Sequence, residues 1–135
     1  MPRPRHENAT PGELEVLKIL WERGPSTVRE VMDVLNRRRR RAYTSVMSLL
    51  EVMLEKRLVR RRPQGRAFVY AAAVSREKTL GQLVGDLVRR GFQGSVSSLV
   101  AHLLDQAAPT EEELDEIRRL IAAYSATKGG AHGRG

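Results

Sequence analysis

Cysteine is absent from the 135 residues, which excludes disulfides, thiolate metal sites and a thiol redox switch. No apolar run approaches the ~20 residues that a membrane-spanning helix needs. The opening MPRPRHENATPGE carries charge without an apolar stretch, unlike a signal peptide, so a soluble cytoplasmic protein is expected. Histidine is scarce: His6, His102 and His132 show no metal-ligand spacing. His102 lies within an apolar helical pattern, where a hydrogen-bonded interface residue is expected rather than a catalytic base. The glycines are scattered and build no phosphate-binding loop, and no nucleophile, base and oxyanion donors come together. No enzyme activity, cofactor or metal is therefore expected.

Positive charge is plentiful, and it is localised. Residues 1–73 hold sixteen Lys and Arg against eight Asp and Glu, whereas residues 74–135 hold eight of each, so the net +8 belongs to the first half. It is concentrated in the unbroken run Arg37 to Arg41, in Arg60, Arg61 and Arg62, and in Arg66. Two basic groups thus bracket the stretch from Ala42 to Leu58, as on a surface that grips a polyanion.

The apolar spacing predicts a mainly α fold with a small β-hairpin wing. Residues 1–10 read as a flexible N-terminal arm. From Pro11, Leu14, Leu17, Leu20 and Trp21 recur at helical spacing until Gly24-Pro25 stops them. Ser26 or Thr27 can cap a second helix with Val28, Val31, Met32 and Leu35 on its core face. A third carries Val46, Leu49, Leu50, Met53 and Leu54 inward and turns Arg41, Thr44, Ser48 and Glu55 outward. Leu58 to Arg62 and Ala67 to Ala72 read as strands joined by the turn Pro63-Gln64-Gly65-Arg66. Residues 11–73 are accordingly expected to form a winged helix-turn-helix domain.

Residues 74–124 predict a three-helix dimerisation domain. Its stripes are Leu80, Leu83, Val84, Leu87 and Val88, then Val96, Leu99, Val100, Leu103 and Leu104, then Leu114, Ile117, Ile121 and Tyr124. The third is begun by the capping box Thr110 to Glu113, whose acidic triplet suits the positive end of a helix dipole. So much apolar surface on ~50 residues calls for a second copy, with Leu83, Leu87, Leu99, Leu103, Ile117 and Ile121 as the dimerisation set. The Gly-rich residues 125–135 read as a disordered tail.

In a helix-turn-helix the second helix of the pair presents its outward N-terminal residues to base edges while neighbouring basic groups hold phosphates. The candidate DNA-binding set is Arg38, Arg39, Arg40, Arg41, Tyr43, Thr44, Ser45, Ser48, Arg62 and Arg66. The bland alternative is that the hydroxyls are solvated surface and the arginines a solvated loop. Five mutually repelling charges inside a folded unit favour phosphate contact by some of them. Arg66 can reach backbone or minor groove, and both remain open. Glu51 would be repelled by phosphate unless it accepts from cytosine or orients an Arg; an ion pair with a nearby Arg is the expectation.

The segment GELEVLKILWERGPSTVREV, the stretch AYTSVMSLL and the piece GRAFVYAAAVSRE resemble the penicillinase/methicillin-resistance repressor (BlaI/MecI) family of bacterial transcription factors. SLVAHLLDQ and EEELDEIRRLI resemble its dimerisation helices, so the likeness spans roughly residues 11–123. It implies a homodimer that represses by occupying palindromic operators on double-stranded DNA, with Thr44, Ser45 and Ser48 on the recognition helix and Arg66 on the wing. Glu51-Val52-Met53 stands where the family usually has Asn-Arg-Leu, which removes one basic contact that residues 37–41 can replace. Arg57 replaces the usual glycine after the recognition helix, implying a different C-cap. In the best-known members a sensor-linked protease cuts an Asn-Phe bond; His102-Leu103 aligns there, which argues against that partner. The C-terminal cysteines of the copper-responsive branch are missing as well. The alternatives from the residues alone are a winged-helix protein-interaction adaptor and a nonspecific architectural nucleic-acid-binding protein.

Overall fold

The computed structural model describes residues 8–131, in the order α1 (Pro11–Arg23), β1 (Ser26–Thr27), α2 (Val28–Leu35), α3 (Tyr43–Glu55), β2 (Val59–Gln64), β3 (Ala67–Ala72), α4 (Arg76–Gly91), α5 (Val96–Ala107) and α6 (Glu111–Ala131). Two compact units divide at Leu87 and Val88. The first extends past the boundary expected at residue 73; just beyond that point the Trp21 indole donates to the Val74 carbonyl at 3.0 Å and Val74 packs against the same core.

Local chemistry sets the helix ends. Thr10 and Glu13 form a reciprocal capping box at α1, and Thr27 and Glu30 repeat it at α2. Gly24 ends α1 with φ 90°, a conformation that favours glycine. At the end of α3, the Leu58 amide donates to Met53 O at 2.9 Å and the Arg57 amide to Leu54 O at 3.0 Å. This is a Schellman motif with Arg57 at φ 65° in the position that glycine usually takes. The different cap implied by the missing glycine is therefore not adopted: the motif is retained and Arg57 carries the left-handed backbone.

Val16, Leu17 and Leu20 from α1, Val31 from α2, and Val46, Leu50 and Met53 from α3 meet Leu58, Val59 and Tyr70 in one buried core. That packing commits the inner faces of the three helices and leaves the outer face of α3 to solvent. The sheet has the order β1-β3-β2, all antiparallel. A third strand thus joins the expected hairpin, since Ser26 and Thr27 pair with Tyr70 and Val69. Pairing of Gln64 with Ala67 shortens the turn to Gly65-Arg66, with positive φ at Gly65, the first turn position, as a type II′ turn requires. Pro63 is accommodated because β2 is an edge strand.

The expected arm is ordered where it is described: Ala9 belongs to the core and Thr10 caps α1, while residues 1–7 lie outside the described residues. The tail also differs from expectation, because α6 continues through residues 125–131. No helix breaker precedes Gly129, Ala126 and Lys128 are good helix formers, and Lys128 faces the negative end of the helix dipole. Residues 132–135 lie outside the description.

The Ser95 and Thr110 hydroxyls cap α5 and α6. Leu99, Leu114 and Ile117 are half-buried, yet α5 has no buried residue, and Val96, Leu103, Leu104, Ile121 and Tyr124 are exposed. In α4, Leu83 is half-buried and Leu87 exposed. His102 is exposed, and its ring meets the Phe92 ring edge-on, with centroids 5.6 Å apart. No described helix is long and apolar enough to cross a membrane.

Candidate nucleic-acid interface

The outer face of α3 is a row of short polar side chains. Thr44, Ser45 and Ser48 are exposed, followed by Glu51 one turn on. Ala42 precedes the helix in an extended conformation and offers no side-chain cap, so the first amides of α3 lack the hydroxyl cover that Thr10 and Thr27 give α1 and α2. Tyr43 is exposed, and the Arg29 guanidinium of α2 lies 5.7 Å from its ring centroid. That contact sets a cation beside the start of the helix.

Strands β2 and β3 form the opposite wall. The Arg61 guanidinium sits 4.0 Å from the centroid of Phe68 and donates to the Tyr70 hydroxyl at 3.1 Å. Arg61 pairs with Tyr70 in the ladder, and Phe68 is the diagonal neighbour, so the strand register holds the cation over an aromatic ring. Arg60, Arg62 and Arg66 are exposed on the same ribbon. Between helix and ribbon lies a groove of about 480 Å³ whose walls include Arg29, Tyr43, Met47, Glu51, Arg61, Arg66 and Phe68.

The run from Arg37 to Arg41 forms a short anchored loop. The Arg37 and Arg38 amides donate to Val34 and Leu35, and the Arg41 amide donates to Asn36 Oδ1 at 2.8 Å. Arg38, Arg39 and Arg40 project to solvent. Arg41 is placed differently from its expected outward position: its guanidinium meets Glu15 of α1 at 3.0 Å and is largely covered. Its charge ties the loop to α1.

Glu51 also departs from expectation. No described cation pairs with it, although Arg29, Arg61 and Arg66 line the same groove. Sequence reasoning passed over Arg29, which looks like any polar-face residue of α2. Arg61 was visible as charge, but its aromatic support was not; the alternation of Arg61 with the Phe68-Val69-Tyr70 segment becomes informative only with the register known.

Three packed helices, the third with its outer face exposed, and a basic antiparallel ribbon define a winged helix-turn-helix protein. The family model described as penicillinase repressor matches residues 9–123, and the chain belongs to that family. It is 34% identical over 122 residues to the "Transcriptional regulator BlaI" of Mycobacterium tuberculosis, covering 87% of each chain. With the "Penicillinase repressor" of Bacillus licheniformis it shares 22% over 116 residues, covering 86% of this chain and 91% of the relative. A solution structure of the DNA-binding domain of the repressor BlaI aligns with a TM-score of 0.47 at 22% identity, covering 56% of this chain and 90% of that one.

Proposed function

We propose that this protein is a transcriptional repressor that binds double-stranded DNA as a homodimer, each recognition helix taking one half of a two-fold symmetric operator. The carrying observation is the exposure of Thr44, Ser45 and Ser48 on α3, a helix that follows the solvent-facing Arg38 to Arg40 loop in the chain and shares a groove with Arg61 and Arg66 of the ribbon. Family membership and the names of the relatives support the same reading. Arg38, Arg39, Arg40, Arg62 and Arg66 hold phosphates and release counterions, which supplies affinity without sequence information. Tyr43, Thr44, Ser45 and Ser48 contribute contacts at the major-groove edge. The work is non-covalent, repression following from occupancy.

Dimerisation is supported by the apolar side chains that a single copy leaves uncovered, Leu87, Leu103 and Ile121 among them. A two-fold dimer matches a palindrome with half-sites about one helical turn, or a multiple of it, apart. The test is selection of bound duplexes from a random pool, with oligomer mass measured on the same preparation. An enriched inverted repeat bound by a dimer is expected. Salt-sensitive binding with no enriched sequence would support the architectural reading instead, and partner capture independent of DNA the adaptor reading.

A further inference from the structure

Glu51 is the one acidic residue lining the groove between α3 and the ribbon, where Arg29, Arg61 and Arg66 contribute three guanidinium groups. None of the three pairs with it, and its carboxylate is exposed. Each cation has another arrangement open to it. Arg29 lies over Tyr43, and Arg61 is held by Phe68 and Tyr70. Arg66 stands at the exposed turn. The carboxylate is thus left without an ion-pair partner among the described residues, on the helix edge that carries Tyr43 and Met47, eight and four residues before it.

A free carboxylate on this face is costly against most DNA. Phosphate repels it, and the purine N7, guanine O6 and thymine O4 positions of the major groove are acceptors that offer it nothing. Exocyclic amines are different, and cytosine N4, which presents a donor with no adjacent acceptor of its own base, suits a carboxylate best. Resting on the repressor reading above, we infer that Glu51 is a specificity-determining residue that accepts a hydrogen bond from a cytosine N4 amine in each half-site. It discriminates chiefly by penalty: duplexes without that amine leave a buried, unsatisfied charge at the interface. The hydroxyls of Thr44, Ser45 and Ser48 both donate and accept, so they tolerate several bases. The carboxylate supplies a stricter requirement.

The test compares wild-type protein with Glu51→Gln and Glu51→Ala by selection from a random duplex pool, followed by titration of the enriched site and of a random duplex at one salt concentration. Glu51→Gln keeps the shape, removes the charge and adds a donor. The expected result is an enriched wild-type motif with a cytosine at one position per half-site, and loss of that preference in both variants. Random-duplex affinity rises in both, and discrimination at that position falls about five- to tenfold. Identical motifs from all three proteins, with unchanged random-duplex affinity, would overturn the inference while leaving the repressor reading intact. No motif from the wild type would overturn both. Circular dichroism and oligomer mass on each variant check that an exposed substitution leaves fold and assembly unchanged.

Discussion

The Lys56 ammonium at the C-terminal end of α3 lies 2.7 Å from the Glu13 carboxylate in the first turn of α1, with only 7% and 3% of the two side chains exposed. Lys56 also donates to the Asn8 carbonyl at 3.2 Å, and the same Glu13 oxygen accepts from the Thr10 amide at 3.0 Å. One buried ion pair therefore joins the segment before α1, the cap of α1 and the C-terminal end of α3.

Removing one member of a buried pair strands the other charge. Lys56→Met is expected to lower unfolding free energy by about 3 kcal/mol by taking the ammonium from the buried Glu13 carboxylate, and Glu13→Leu to lower it as well by removing the acceptor that Lys56 and the Thr10 amide share. The double variant Glu13→Leu with Lys56→Met should recover part of the loss, since two well-packed apolar groups strand no charge. Urea denaturation of all three checks this, and full additivity of the single losses would show that the pair is not coupled.

Arg57 offers the opposite sign. A non-glycine residue in the left-handed region costs roughly 1–2 kcal/mol, and the Schellman hydrogen bonds from Arg57 and Leu58 hold it there. Arg57→Gly relieves that strain at the expense of a more flexible unfolded chain, a penalty of about 0.4–1 kcal/mol. A net gain of up to ~1.6 kcal/mol is expected from the shift in the thermal or urea midpoint. A fall in stability would mean that the Arg57 side chain contributes more than its backbone costs.

The arginine loop separates affinity from stability. Arg38, Arg39 and Arg40 are solvent-facing, so replacing all three with Ser should leave the unfolding midpoint within the ordinary range for surface changes, while weakening DNA binding for every sequence. The slope of log affinity against log salt should flatten by about 0.9 for each phosphate that is no longer neutralised. Arg41→Ala behaves differently, because its partner is Glu15. Its partly exposed pair predicts a stability loss of about 0.5–1 kcal/mol, with no comparable change in salt slope. Equal effects from Arg40→Ala and Arg41→Ala would contradict that division.

These contrasts show where the sequence is legible. The spacing of Val46, Leu50 and Met53 identifies the inner face of α3, and Thr44, Ser45 and Ser48 follow as its outer face by geometry alone. Long-range pairings leave no such periodic trace. Arg41 and Glu15 are 26 positions apart, and Lys56 and Glu13 are 43. Strand β1 has two residues, too few for any alternation to register. Gly129 and Gly130 suggested disorder by composition, yet they lie in a helix already propagating from a capped start at Thr110.

The apolar faces of the second unit carry the last prediction. Leu103 is 51% exposed on α5 and Ile121 58% exposed on α6, and neither helix contributes to the buried core. Their solvation in a lone chain is unfavourable at about 25 cal/mol per Å² of apolar surface, which association would recover. Leu103→Glu combined with Ile121→Glu places two charges per chain in that surface, so the proposed dimer should give way to monomer by analytical ultracentrifugation. The core from α1 to β3 does not use either side chain, so the Trp21 signal should report a folded first unit. Operator affinity should then fall by orders of magnitude, because each half-site must be bound separately without the effective concentration that the second recognition helix gains from the first. A double variant that stays dimeric would shift the interface to other surfaces; one that becomes monomeric yet binds the full operator as tightly as wild type would contradict recognition by paired helices.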